Sequence, residues 1–335
     1  MKRNLMFLAL ATIGLESCNG GFKKGDNGML YNINVDKSGP KIKQGDFLTV
    51  NLTIKNDADS LLVSTYDQGH AAPLMLQKSA TKGDIFDALQ LLAEGDSATI
   101  KVLVDSVYKG RPKPQGFKGK YLVYNVKVEK VIPKGTLTDQ VFQSQVSDYM
   151  KKQNDVLKGQ EPAKIKKYID DNKLAVTKTA TGLNYVITKP GTGALPVAGD
   201  TVTVNYVGKY VNGKVFDTNI KEEAVKGKLT INPMNPYKAI SIPVGQGAVI
   251  PGWDQGLMLL NTGAKATFVI PSDLAYRDQG NQIIGPYTPL VFEVELVKIT
   301  HPNPNAPKPV APTAPTAQQI QQMQQQMQRA QAAKK

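Results

Sequence analysis

Few residues in this chain could do covalent or metal chemistry. Among its 335 residues there is one cysteine, Cys18, and two histidines, His70 and His301. A single thiol cannot close a disulfide within the chain. Two imidazoles without a second thiol do not make the ligand set of a usual tetrahedral zinc site, so neither metal nor other cofactor is expected. The sequence instead concentrates apolar and aromatic surface around one indole. The stretch from Val244 to Leu260, VGQGAVIPGWDQGLMLL, holds the only tryptophan, Trp253. An extended apolar run with Gly245 and Gly247 gives way to Val249-Ile250-Pro251-Gly252, after which Trp253, Leu257 and Leu260 recur at helical spacing. The pattern predicts strand, turn and short helix, with Trp253 at the helix start and pointing inward. So short a helix does not persist alone in water, and a sheet must wrap it.

Strands to build that sheet lie on both sides. LNYVIT, DTVTVNYVGKYV, AISIPV, AKATFVIP and PLVFEVELVKI are rich in β-branched and aromatic residues. From Met29 to Ile132 the same texture appears in MLYNINV, DFLTVNLTI, ATIKVLV and KYLVYNVKV, with Ile85, Leu89 and Leu92 spaced for one short helix. The fold class is therefore α+β and mostly antiparallel. Between the two regions Val141, Phe142, Val146, Tyr149, Met150 and Val156 fall near helical spacing, with Thr138 or Asp139 as caps. Pro162 predicts the start of a second helix carrying Ile165, Tyr168 and Ile169. The apolar stripe of this helical connector would pack on one of the domains or pair with a second copy of the chain as a homodimer.

At the amino terminus, a basic start followed by the apolar run Leu5 to Leu15 describes a secretory signal too short for a stop-transfer helix. Leu15-Glu16-Ser17-Cys18 resembles the lipobox of bacterial lipoproteins, in which the cysteine becomes the lipidated first residue. Glu16 departs from the small or apolar residue usual there. The expectation is a lipoprotein-type signal over 1–18, a flexible tether over 19–28, and anchoring to a membrane through acyl chains on Cys18. Without a compact acidic cluster after Cys18, the expected location is the bacterial cell envelope, on a periplasm-facing outer membrane. Residues 301–335 are rich in proline and glutamine and read as a disordered tail. The net charge of +13 raises nucleic acid as a partner. The lysines are scattered among acids with no aromatic-interleaved basic stripe, so no nucleic acid is expected.

Internal repetition adds a constraint. LVDSVY ending at Tyr108 aligns with PSDLAY ending at Tyr276, LVYNVKVEK from Leu122 with LVFEVELVK from Leu290, and DIFDALQLLAEGD from Asp84 with GWDQGLMLLNTGA from Gly252. All three share one offset. Two copies of one domain follow, over 29–133 and 179–300, joined by a connector over 134–178.

VNYVG around Tyr206, KVFDT around Phe216 and Asp217, VIPGWDQGL around Trp253, LAY ending at Tyr276 and LVFEVELVKI around Phe292 together resemble the FKBP-type peptidyl-prolyl cis/trans isomerase family. They occur in that family's order across nearly all of the second domain. The resemblance implies a twisted antiparallel sheet curled around a short helix, with a shallow apolar pocket between them. Carried onto this sequence, Tyr206, Phe216, Asp217, Trp253, Tyr276 and Phe292 would form the catalytic pocket, with Ile240, Val249, Ile250 and Ile284 binding substrate. Trp253 would be the floor. The Ile250 N–H and the Tyr276 hydroxyl would donate to substrate carbonyls, and Asp217 would orient its neighbours rather than act as a base. No nucleophile is needed: the X-Pro bond rotates against a barrier of about 18–20 kcal/mol set by amide resonance, and a cradle that prefers the twisted amide lowers it.

The implied function is isomerisation of proline-containing polypeptide clients during folding of secreted or envelope proteins. The alternative is a non-catalytic chaperone or adaptor that binds such segments. Against the family pattern, a long segment separates Asp217 from Ile240, Ile240 stands where a phenylalanine is usual, Arg277 replaces a glycine, and Gly285-Pro286 replaces two prolines. In the first domain Tyr66-Asp67 is matched to Phe216-Asp217, Tyr108 to Tyr276 and Tyr124 to Phe292. Lys82 and Asp84 stand where the substrate ring would sit, so this copy is expected to be degenerate, with little or no isomerase activity.

Overall fold

A computed structural model describes residues 21–302 except 109–112, 114–118, 230, 232, 233 and 282. The expected signal, Cys18 and all of the tail past residue 302 lie outside the described residues. The first domain runs β1 (Lys23–Lys24), β2 (Leu30–Val35), β3 (Phe47–Asn56), β4 (Leu61–Ser64), α1 (Thr65–Gln68) and β5 (Ala72–Met75). It continues with α2 (Ile85–Leu89), β6 (Ser97–Leu103), α3 (Val104–Tyr108) and β7 (Tyr121–Ile132). A long helix, α4 (Asp139–Asp171), follows. The second domain runs β8 (Thr177–Lys178), β9 (Asn184–Lys189), β10 (Thr201–Tyr210), β11 (Val215–Thr218), α5 (Lys221–Lys226) and β12 (Ile240–Pro243). It closes with α6 (Pro251–Leu257), β13 (Lys265–Ile270) and β14 (Leu290–Thr300).

The two sheets share one topology. The first is ordered β1-β2-β6-β7-β3-β4 with β5 also on β3, and the second β8-β9-β13-β14-β10-β11 with β12 on β10. Every pairing is antiparallel, and each sheet carries the same bulge, at Thr49/Val50 in one and Thr203/Val204 in the other. The copies differ chiefly between the short edge strand and the next: 65–71 with α1 in the first domain, 219–239 with α5 in the second. Lys23–Lys24, inside the segment expected as a flexible tether, pairs with Tyr31 and Leu30 and so belongs to the first sheet.

Each sheet curls over its short helix because the helix has one apolar side and nothing else can cover it. In the second domain Trp253 and Leu257 of α6 are buried against Phe268, Ile270, Phe292 and Leu296. The approach is close because Gly252 and Gly256 face the sheet, where a Cβ would lie 2.4 Å from Ile270 and 2.7 Å from Phe268. Pro251 opens α6 at a position where its missing N–H costs nothing. In the first domain α2 does the same work with Ala88 and Leu89, joined by Leu92 just beyond it.

The connector differs from expectation. It is one continuous helix with Pro162 inside it, not two helices. An interior proline removes a hydrogen bond and costs roughly 3 kcal/mol, and tertiary contacts on both sides of Pro162 offset this. Before it, Phe142, Val146, Tyr149 and Met150 pack on Phe47 and Ile132 of the first sheet. After it, Ile165, Tyr168 and Ile169 pack on Val269 and Val291 of the second. Most of the apolar stripe therefore packs on the two domains of its own chain, while Val141 and Val156, 46% and 52% exposed, face outward. Among the described residues, no helix is long and apolar enough to cross a membrane.

Candidate active site

Four aromatic rings from four elements meet on the concave side of the second sheet. Tyr206 of β10 lies 5.2 Å from Trp253 of α6, centroid to centroid, and 6.3 Å from Phe292 of β14. Phe292 lies 5.1 Å from Trp253 and 5.7 Å from Phe216 of β11, both near-perpendicular. Edge-to-face pairs at these separations are favourable beyond their burial. The strands bring them together through register: Gly208 of β10 is opposite Phe292 on one side and Asp217 on the other. A Cβ on Gly208 would lie 2.9 Å from both the Phe216 and Phe292 rings, so glycine there lets them close.

Three donors stand at this cluster without a protein acceptor among the described residues. The indole Nε1 of Trp253 is, among the described residues, the one buried side-chain nitrogen or oxygen without a partner, and Trp253 is 5% exposed. Ile250 caps α6: its carbonyl accepts the Trp253 and Asp254 amides at 2.9 and 3.1 Å, while its own N–H is unengaged. Tyr276, half-buried against the core, makes no side-chain hydrogen bond to another described residue. Tyr206 differs, for its hydroxyl donates to the exposed carboxylate of Asp217 at 2.7 Å. Burial, and after it the Asp217 hydrogen bond and charge, push the Tyr206 hydroxyl above the ordinary phenol range, so it stays a neutral donor.

Val249 and Ile250 pack partly buried on the same core, and Ile284 is fully inside it. Ile240 is 38% exposed at the end of β12 that pairs with Val204. By strand alternation it shares a face with the buried Ile242, which puts it at the open edge of the concave side rather than in the ring cluster.

Sequence reasoning missed the residues that hold this site in shape. Asn219, buried just past β11, accepts the Tyr206 N–H at 2.8 Å and donates to the carbonyls of Val204 at 2.9 Å and Lys238 at 3.1 Å. The Thr218 hydroxyl donates to the Tyr206 carbonyl at 2.5 Å. Both backbone groups of Tyr206 are thus fixed by side chains. Asp254, in the first turn of α6, accepts the N–H groups of Gly245 and Gly247 at 2.8 and 2.9 Å and fixes the loop leading to Val249 and Ile250. The Tyr210 hydroxyl donates to the Ile283 carbonyl at 2.6 Å. No group of three His, Cys, Asp or Glu that could hold a metal occurs among the described residues.

The first domain keeps the frame and loses the rings. Pairing register places Thr53 opposite Ser64 as it places Val207 opposite Thr218, so Leu62-Val63 occupies the place of Phe216-Asp217. The expected match of Tyr66-Asp67 to that pair is therefore wrong: both residues lie beyond the strand, in α1. Tyr66 is 56% exposed, and Asp67 pairs with Lys214 of the second domain. Ile85 stands first in α2, where Trp253 stands near the start of α6. Lys82 is exposed rather than in the ring's place. Asp84 is occupied as the α2 cap, accepting the amides of Phe86 and Asp87 as well as those of Ala80 and Thr81. Tyr124 remains, and burial first, then Tyr108 and Asp84, raise its hydroxyl to about 12.

Residues 193–297 match the family of FKBP-type peptidyl-prolyl cis-trans isomerases. A probable FKBP-type isomerase, FkpA, of Neisseria meningitidis serogroup B is 47% identical over 136 residues, 40% of this chain and 44% of that protein. An FKBP-type 22 kDa isomerase of Escherichia coli is 37% identical over 136 residues, 40% of this chain and 58% of that one. The crystal structure of FkpA from Escherichia coli shares 31% identity over 50% of this chain and 75% of its own, with a TM-score of 0.39. The chain spans about half the length of the curated relatives it matches. With the motifs in family order, the matched region enclosing the ring cluster, and these relatives agreeing, the chain belongs, through its second domain, to the FKBP-type peptidyl-prolyl cis-trans isomerases.

Proposed function

We propose that the second domain, over 179–300, catalyses cis/trans rotation of X-Pro bonds in polypeptide clients. The observation that carries this is the meeting of Tyr206, Phe216, Trp253 and Phe292 around donors that no group among the described residues occupies, those of Ile250 and Tyr276. The rings offer an apolar seat for a pyrrolidine. The Ile250 N–H and the Tyr276 hydroxyl take the carbonyls on either side of the rotating bond, and Ile284 and Val249 line the seat with Ile240 at its edge. Rotation breaks the amide's dipolar resonance, so a dry wall favours the twisted state over either planar one. Asp217 orients Tyr206 through its hydrogen bond and abstracts no proton.

In this reading the first domain, over 29–133, is a degenerate copy that does not catalyse. The whole protein is a lipid-anchored envelope protein held at Cys18, acting on secreted or envelope proteins whose slow folding step is prolyl rotation. The test is isomerisation of an Ala-Pro or Leu-Pro peptide by the chain lacking its first eighteen residues, with Trp253→Ala and Tyr276→Phe as variants. Turnover that both variants reduce at least tenfold supports the reading. A wild-type chain that binds prolyl peptides and does not turn them over refutes it in favour of an adaptor.

A further inference from the structure

The loop between Ser272 and Pro289 carries two residues of the site, Tyr276 and Ile284, and is gripped from outside its own domain. At its start, α4 presents the carboxylate of Glu161, 8% exposed, which accepts the Ser272 N–H at 2.5 Å and the Ser272 hydroxyl at 2.7 Å. Near its end, the Lys158 ammonium of α4 lies 6.0 Å from the centroid of the Tyr287 ring. Between these, the first domain lays His70 against Gly285, where a Cβ would come within 1.9 Å of Nε2 and 2.0 Å of Cδ2.

Gly285 is buried and its φ is not positive, so backbone conformation does not call for glycine. The imidazole does. This accounts for the departure from the family's two prolines: a pyrrolidine at 285 would occupy the place of the His70 ring. The loop needs such support, because Arg277 and Tyr287 both hold positive φ, at 54° and 48°, a region non-glycine residues avoid. Its own ties are mostly local turns: the Ala275 and Arg277 amides to the Ser272 carbonyl, the Gly280 amide to the Tyr276 carbonyl, the Asn281 amide to the Ile284 carbonyl, the Tyr287 amide to the Arg277 carbonyl, and the amides of Ile283 and Ile284 to the Asn281 side chain, with one longer tie from its own sheet, the Tyr210 hydroxyl to the Ile283 carbonyl. A second interdomain tie joins Lys214 to Asp67, three residues before His70.

We infer that α4 and the first domain form a brace in cis on the substrate loop, with Glu161 and His70 as positioning residues that set where Tyr276 and Ile284 stand. The catalytic part of this rests on the isomerase reading above; the mechanical part does not. Neither residue touches substrate, and the degenerate domain acquires a role that needs no activity of its own.

The test uses the chain lacking its first eighteen residues, with His70→Ala, Gly285→Ala, the double variant, Glu161→Gln and Glu161→Ala. Two quantities are read: hydrogen exchange of the Arg277 and Tyr287 amides against those of β10 and β14, and kcat/KM on a prolyl peptide. Gly285→Ala should speed loop exchange at least tenfold, leave the two strands unchanged and lower kcat/KM at least threefold. In the His70→Ala background the same methyl should add nothing, because the group it displaces is gone. Glu161→Gln keeps an acceptor for Ser272 and should restore most of what Glu161→Ala loses. Loop exchange unchanged in all five variants, or a Gly285→Ala effect of equal size with and without His70, overturns the brace. A wild-type chain with no turnover whose loop still responds as described overturns the isomerase reading alone.

Discussion

Gly208→Ala separates the ring cluster's role in the site from its role in the core. The added methyl would stand 2.9 Å from Phe216 Cζ and from Phe292 Cε1, where ordinary contact begins at 3.4 Å. Phe292 has little room to retreat, being 6% exposed with Trp253 and Tyr206 behind it. Phe216 is half-buried and has an open side, so the displacement falls on it and widens the Phe216–Phe292 pair. Overpacking of a closed core costs about 1–3 kcal/mol, and the open side of Phe216 puts this variant near about 1 kcal/mol. Catalysis is less forgiving: a misplacement of about 1 Å can cost about 100-fold. A shift of about half that predicts a loss of roughly tenfold in kcat/KM, about 1.4 kcal/mol of transition-state stabilisation. Urea denaturation gives the first number and a prolyl-peptide assay the second. A folded variant with kcat/KM within twofold of wild type would refute the argument, since the rings would then bear on the core and not on the reaction.

Asp84→Ala should destabilise the first domain by about 1–2 kcal/mol, the upper range for a helix cap, because one carboxylate serves four backbone amides there. Prolyl isomerisation at temperatures where the chain is folded should be unchanged, and a loss of activity without unfolding would count against a purely structural Asp84. Alkaline titration should find four hydroxyls that ionise above the ordinary phenol range. Tyr124 and Tyr210 are each raised to about 12, chiefly by burial, Tyr206 lies higher, and Tyr168 is raised by burial and then by the Glu293 charge. A phenol whose folded pKa is raised contributes stability that is complete below the unfolded value near 10 and lost as pH rises through the folded one. Stability should therefore fall between about pH 10 and pH 12. Absorbance at the phenolate band showing all tyrosines ionised in the folded protein by pH 10.5 would contradict this, with the threshold set roughly half a unit above the free phenol.

Local chemistry was legible in the sequence, and long-range register was not. The indole, its proline-glycine turn and the leucines after it specify strand, turn and helix by spacing alone, and α6 stands where they put it. The repeat also survives, down to the shared bulge. Tyr66-Asp67 misled because it copies the chemistry of Phe216-Asp217. The register of β4 is set by other groups: the Asn56 side chain accepts the Ser60 amide at 2.8 Å and fixes the turn before the strand, and pairing then brings Leu62 and Val63 to that place. Pro162 misled for the opposite reason, since local propensity yields when packing on both sides holds the helix straight through it. Asn219 could not be recognised in advance. Its partners, Tyr206, Val204 and Lys238, become its neighbours only after three strands assemble.

The helix α4 has a consequence for the order in which this protein is made. By the time residue 180 has emerged on the far side of the membrane, the first sheet and its packing on Phe142 and Tyr149 can be complete. Ile165, Tyr168 and Ile169, however, must wait for Val269 and Val291 to follow. Throughout that interval the nascent chain displays a short oily ledge beside a finished domain. The ledge is a landing place for the newer strands, and until they arrive it is a place where a neighbouring unfinished chain can stick.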